Sequence, residues 1–291
     1  MATRMDPQLY RILMTAQRDE LTGYRVYSRL ARRARTEENR RILGRIAATE
    51  LEHYRTWEGV TGRKLRVSHW KVVLFTALAR VFGLTFGLRL MEKAEREVQD
   101  IYRGLAPTHP EAEKMLRDEE EHEHELLGML QDPLLDNIGS VVLGLNDALV
   151  ELTGVLAGLS FAFQDTRLIG VTGLITGVAA SLSMAASEYL STRAEGSESA
   201  GRAALFTGIA YIVTVALLVM PYFIFDHYLV CLAVTLCIAM LIIVVYNFYL
   251  SVAKDYSFRK RFLEMAGISL GVATLSFGIG VLVRQVFGVD V

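Results

Sequence analysis

Glu50 and His53 stand three residues apart in E-L-E-H, and Glu119 and His122 do so in E-E-E-H. Residues at this spacing share one face of a helix. Each pair can therefore aim a carboxylate oxygen and an imidazole nitrogen at one point, a donor set that suits divalent cations. Further along, Asp147 and Glu151 are four apart in L-N-D-A-L-V-E-L, and Met184 and Glu188 are four apart in M-A-A-S-E. Carboxylates are hard oxygen ligands and a thioether is soft. This mixture fits a borderline divalent metal such as Fe2+ better than Ca2+ or Mg2+. Carboxylates also exchange protons, so an arriving cation can displace them.

The first two pairs need helices to position them, and the sequence predicts four helical stretches before Asp132. The first opens at Asp6-Pro7, a cap followed by proline in the first turn, and runs to about Ala34. The second opens at Thr36, with Glu37 and Glu38 against the positive end of the helix dipole, and ends near Gly59–Gly62. The third covers roughly 70–104 and is closed by Gly104 and Pro107. The fourth opens at T-H-P-E, 108–111, as a capping box. Helix one supplies Glu20, helix two Glu50 and His53, helix three Glu92 and Glu95, and helix four Glu119 and His122. Two Glu-x-x-His pairs with glutamates from the other two helices form the ligand set of carboxylate-bridged di-iron bundles. Glu121 and His124 make an overlapping pair, so the register of the fourth helix stays open by two residues. Glu120, Glu121 and Glu123 are expected in solvent. Tyr27 and Tyr102 lie seven after Glu20 and Glu95, either beside the metals or in plain core.

Asp147, Glu151, Met184 and Glu188 belong to a different solvent. Before Pro133 the chain is dense in Arg and Glu; after it come long apolar runs. Five of these, roughly 138–163, 168–191, 203–224, 228–250 and 265–284, reach the ~20 residues that a bilayer core requires. The short loops after the second and fourth carry Arg193, Arg202, Lys254, Arg259, Lys260 and Arg261, whereas those after the first and third carry only Arg167. By the positive-inside rule the former face the cytoplasm, together with the N-terminal half, and the C-terminus faces outward. A charge at mid-bilayer costs about 2.5–3.5 kcal/mol even on lenient scales, so three acids on two adjacent spans read as an ion path rather than as interfacial anchors. Gly144, Gly154, Gly158, Gly173 and Gly177 allow close helix approach around them. One apolar stretch, 72–88, tempts a sixth span. Arg80 interrupts it, and a span there would put the two halves of the bundle on opposite sides of the membrane. It is expected as buried bundle, dimer interface or membrane-surface contact.

The formal net charge of -1 leaves no cationic excess for phosphate, which argues against nucleic-acid binding. The N-terminus lacks a signal-peptide pattern. Cys231 and Cys237, six apart in an apolar run, suit neither a metal pair nor a redox motif and are expected to pack.

Through Glu20, E50-L-E-H53, E92-K-A-E95 and E119-E-E-H122 the first half resembles the rubrerythrin branch of the ferritin-like superfamily. Through L-N-D-A-L-V-E-L-T-G and M-A-A-S-E-Y-L-S the second half resembles the vacuolar iron transporter family. The combination resembles the prokaryotic erythrin–transporter fusions, also called membrane-bound ferritins. The resemblance implies an all-α protein: a ferritin-like bundle over 1–132, then a five-helix transmembrane domain over 133–291. It implies a homodimer in a prokaryotic plasma (inner) membrane that exports Fe2+ or Mn2+ in exchange for protons. Asp147, Glu151, Met184 and Glu188 are then the transport path, and a di-iron centre collects, senses or oxidises iron. The loop R-A-E-G-S-E-S-A-G-R departs from the eukaryotic transporters, which carry a Glu- and Met-rich domain between spans two and three. Ten residues are too few for a helical hairpin, so the metal-gathering role is expected of the N-terminal bundle.

Overall fold

A computed structural model describes residues 7–34, 36–107, 109–128 and 137–287. The described chain is helical without strands and divides into two compact units, Met1–Asp132 and Pro133–Val291.

The first unit contains α1 (Pro7–Ala31), α2 (Glu37–Thr61), α3 (His69–Phe82), α4 (Leu84–Leu105) and α5 (Pro110–Gly128). Thr36 caps α2 as expected: its backbone is extended and its hydroxyl accepts from the Asn39 N–H at 3.1 Å. The helix stops at Gly62, at a φ of 67°, whose N–H returns to the Glu58 carbonyl at 2.9 Å. The caps expected at Asp6 and Thr108 lie outside the described residues.

The third helix differs from expectation. The continuous helix over 70–104 is two helices, α3 and α4, broken at Gly83, whose φ of 95° and ψ of 162° only glycine adopts readily. A Cβ added at Gly87 would lie 2.4 Å from that of Ala79. In a straight helix residues eight apart are separated by about 12 Å, so the chain folds back on itself at the break.

Antiparallel pairings fix the arrangement. Gly23 of α1 faces Glu50 of α2, Tyr27 of α1 faces Glu95 of α4, and Arg45 and Glu52 of α2 pair with Glu125 and Lys114 of α5. Both α2 and α4 oppose α1, so they run parallel, and the chain must return the length of the unit between them. Residues 62–68 and α3 make that return. Two apolar clusters hold the unit. One gathers Val26, Tyr27, Leu43, Ile46, Met91 and Leu126. The other gathers Leu13, Ala16, Trp57, Val98, Tyr102 and Met115. Each fully buried side chain of this size contributes about 1.5–3 kcal/mol. In chain order the acids Glu20, Glu50, Glu95 and Glu119 fall between the two clusters, so apolar layers close the site from both ends.

The second unit contains α6 (Ile138–Phe163), α7 (Thr166–Ala194), α8 (Ala200–Val219) with its short continuation α9 (Pro221–Ile224), α10 (Tyr228–Ala253) and α11 (Phe258–Phe287). Counting α8 and α9 as one, these are five helices long and apolar enough to cross a membrane, with mean hydropathy from 1.5 to 3.0. The 72–88 stretch is not among them: α3, at 14 residues, spans about 21 Å against a ~30 Å core. Helix α6 is the centre of this unit. A Cβ on Gly280 of α11 would sit 2.3 Å from the Gly158 carbonyl oxygen, and one on Gly144 would sit 2.4 Å from that of Thr207. Short polar ties reinforce these approaches: Thr153 to Ser269 at 3.1 Å and the Thr207 hydroxyl to the Ser140 carbonyl at 3.0 Å. Cys231 packs in this core as expected, whereas Cys237 lies on the outer surface.

Candidate metal centre

Helical spacing brings the two Glu-x-x-His pairs to one point inside the first unit. Glu20, Glu50, His53, Glu119 and His122 are each no more than 6% exposed. Each of Glu20, Glu50, His53 and Glu119 places a ligand atom within 4.8 Å of the others, a set able to hold a metal ion. His53 Nδ1 lies 3.3 Å from Glu20 Oε2 and 3.5 Å from Glu119 Oε1. His122 Nδ1 lies 3.6 Å from Glu50 Oε1 and 3.9 Å from Glu119 Oε2. Glu119 thus turns one oxygen toward each histidine, and the two rings stand 6.4 Å apart.

These separations are too long or misaligned for hydrogen bonds. Glu20 Oε2, Glu50 Oε1, His53 Nδ1, Glu119 Oε2 and His122 Nδ1 are all buried with no hydrogen-bond partner. Five orphaned atoms of metal-ligand type at one place is a costly arrangement. A cation bound among Glu20, Glu50, His53 and Glu119 would give their orphaned atoms partners, so the residues present fit a metal.

The surroundings hold the ligands still. Asp118 Oδ2 sits 3.1 Å from His53 Nε2, which fixes the ring and leaves Nδ1 for the centre. The Tyr102 hydroxyl donates to Glu20 and accepts from Trp57 Nε1 at 3.1 Å. The Tyr27 hydroxyl meets both oxygens of Glu95, at 3.0 and 3.1 Å. Gly23 gives Glu50 its space, for a Cβ there would lie 2.5 Å from Glu50 Oε2.

The charges are mutually dependent. Burial, then repulsion from Glu119 and Glu20, pushes the Glu50 carboxyl well above its ordinary range. Burial and Glu119 do the same to Glu95. Burial opposes charge on His53, yet contacts with Glu119, Glu20 and Asp118 prevail and raise it to about 11. Burial likewise disfavours charge on Glu119, but His122 and His53 bring it down to about 2.

The sequence-predicted ligands do not all converge. Glu92 is buried but turned to Arg89 at 3.0 Å and Arg96 at 3.3 Å. Glu95 lies within electrostatic reach of Glu119 and Glu20. The register of α5 resolves toward His122, which is buried, since Glu121 and His124 are exposed. Both tyrosines touch candidate ligands. Asp118 escaped the sequence reading although it sits inside the R-D-E-E-E-H run.

A second acidic group lies in the spans. The Tyr211 hydroxyl of α8 donates to Glu151 Oε2 at 2.7 Å, one turn along α6 from Asp147. The Ser140 hydroxyl donates to Glu188 Oε1 at 2.6 Å, which sets Glu188 level with the start of α6. Met184 is then about one turn deeper, and Glu151 some 16 Å along α6 from Ser140, on the helical rise. Oxygen and sulfur donors therefore form a ladder through about half the hydrocarbon thickness. Asp147, Met184 and Glu188 are half-buried and Glu151 is exposed. Tyr211 and Ser140 were not foreseen; a tyrosine flanked by Thr207 and Thr214 inside an apolar span was the available signal for the first.

Residues 138–198 match the VIT family. The matched stretch holds all four acid and thioether positions of α6 and α7. With the five apolar helices, it makes the chain an integral membrane protein and points to metal-ion transport. No curated protein matches the chain.

Proposed function

We propose that the protein exports Fe2+, or Mn2+, from the cytoplasm in exchange for protons, and that the N-terminal unit is a ferritin-like metal centre serving that path. The observation that carries this reading is the ladder of Glu188, Met184, Asp147 and Glu151 inside the segment that matches the VIT family. A mid-span carboxylate exposed on one chain, as Glu151 is, is tolerable only against water or a second protein surface. A homodimer joined along α6 and α7 provides such a surface and a shared aqueous seam. Each acid that takes up a cation gives up a proton, and this links the two flows. The arginines and lysines of the loops after α7 and α10 support a cytoplasmic N-terminal unit, and the family resemblance alone suggests a prokaryotic plasma membrane.

In that unit Glu20, Glu50, His53, Glu95, Glu119 and His122 would hold the metal. Bound iron would supply reversible one-electron chemistry with oxygen. The protein's part is to fix the donors: Asp118 sets the His53 ring, Tyr102 and Tyr27 hold Glu20 and Glu95, and the apolar layers exclude water. The parallel run of α2 and α4 with a crossover between them agrees with a ferritin-like topology. A second reading, a membrane-tethered di-iron ferroxidase, is favoured by Glu119 facing both histidines, since a carboxylate so placed can bridge two ions.

Liposomes of known orientation with a pH gradient separate the readings. Fe2+ movement coupled to proton flux is expected for the wild-type chain. It should be abolished by Asp147→Ala and retained, with altered dependence on Fe2+, by Glu50→Ala. If no variant moves metal while the wild type consumes oxygen with Fe2+, the ferroxidase reading replaces the exporter.

A further inference from the structure

The stretch 59–91 contains Arg63, Lys64, Arg66, Lys71, Arg80 and Arg89 and not one Asp or Glu, in a chain whose net charge is -1. Helix α3 lies within it and is amphipathic in an unusual sense. Val72, Thr76 and Ala79 are buried against the unit. The opposite face is also apolar: Trp70 is 67% exposed, Val73 57% and Val81 74%, with Leu74 and Ala77 between them. Positions 70, 73, 74, 77 and 81 form one stripe along the helix. Beside it, between α1 and α3, is a cavity of about 500 Å³ lined by Arg25, Arg29, Arg32, His69, Tyr24 and Ser28 among others. Arg25, Arg29 and Arg32 are exposed and have no carboxylate partner among the described residues.

We propose that this face is a docking surface for an anionic bilayer: the α3 stripe enters the headgroup–acyl boundary, and the arginine-lined cavity takes a phospholipid headgroup. Three observations converge on lipid. An apolar stripe headed by a tryptophan and flanked by cations is the composition of helices that lie in a membrane interface. Guanidinium groups match phosphate oxygens in geometry and charge. The same chain carries five membrane-spanning helices, so a bilayer is this unit's constant neighbour. A second copy is the poorer occupant. Lys71 is paired with Asp19 at 2.7 Å, but a two-fold contact through this face would set Arg25, Arg29 and Arg32, which have no such partner among the described residues, against their own counterparts.

The chain's two tryptophans supply the test, because Trp57 is fully buried and Trp70 is exposed. The full chain is reconstituted into vesicles of phosphatidylcholine brominated on its acyl chains, with or without phosphatidylglycerol. With the anionic lipid, total tryptophan emission should fall by roughly half, since only Trp70 reaches the interface. Trp70→Phe should remove that quenching. The pair Arg29→Glu and Arg32→Glu should bring it down to the level seen without phosphatidylglycerol, and retained Co2+ binding by the Glu/His cluster would certify the fold. The proposal is overturned by absence of quenching in both lipids. Quenching indifferent to phosphatidylglycerol overturns the headgroup site. Inorganic phosphate binding at the arginines without lipid contact identifies a free-anion site instead. Disulfide trapping of two Val73→Cys chains, without quenching, makes the face a contact between copies.

Discussion

Gly23 shows how a residue with no chemistry of its own shapes the candidate metal centre. Replacing it with alanine favours the helix by up to ~1 kcal/mol, yet the new methyl would strike Glu50 Oε2. The expected outcome of Gly23→Ala is a folded unit whose Co2+ affinity, read by titration calorimetry, drops by about 10–100-fold, the usual range for disturbing a ligand's support. Protonation gives a second expectation. Glu50 and Glu95 lie above the ordinary carboxylate range in the folded unit, so their contribution is full below the unfolded value of 4.5 and shrinks as pH rises. His53, at about 11, contributes fully below 6.5 and loses that contribution as pH climbs toward 11. Glu119, at about 2, is lost only as pH falls toward 2. Between about pH 5 and 9 the Glu119 contribution is constant, and Glu50, Glu95 and His53 all act in one direction: the metal-free unit loses stability as pH rises. A divalent cation should reverse that slope, because it binds the deprotonated ligands. Urea unfolding followed by tryptophan emission reads this unit alone, since Trp57 and Trp70 both belong to it. The Glu-x-x-His spacing was legible in the sequence because helical periodicity alone decides it. Asp118, Gly23, Tyr211 and Ser140 were not, because their roles depend on partners from other helices. The separation of Glu92 from Glu95 was hidden too: both suit the inner face of α4, and Arg89 and Arg96 draw one away.

Elements were read with similar unevenness. The five spans followed from length and hydropathy, which the bilayer imposes on sequence directly. The break at Gly83 did not, since the apolar pattern runs through it unchanged and the fold-back rests on Ala79 meeting Gly87. Close helix contact makes a sharper prediction in the membrane unit. On α11, Gly280 touches the Gly158 backbone, whereas Gly278, half a turn away, has nothing within 4 Å of an added Cβ. Gly280→Ala should destabilise the unit by about 1–3 kcal/mol, as overpacking does, and Gly278→Ala should be neutral within ~0.5 kcal/mol or mildly stabilising. Thermal unfolding in detergent, followed by far-ultraviolet circular dichroism, distinguishes the two. Equal effects would mean that α6 and α11 do not pack through this seam.

At the scale of the whole molecule, two acid clusters occupy two solvents and are open to them to different degrees. Glu20, Glu50, His53, Glu119 and His122 of the candidate centre are sealed at 6% exposure or less, while Glu151 and its neighbours reach the surface of their unit. This difference has a consequence in time. A cation held by Glu20, Glu50, His53 and Glu119 can leave only when the helices part, and each ~1.4 kcal/mol of opening free energy slows release tenfold. An ion at Asp147 or Glu151 needs no such opening. Stripping of bound metal by a chelator should therefore be biphasic, with the slow phase lost in Glu50→Ala and the fast phase lost in Asp147→Ala. The inner centre would then follow the average metal level over its own residence time, ignoring brief fluctuations, while the membrane path answers from one moment to the next.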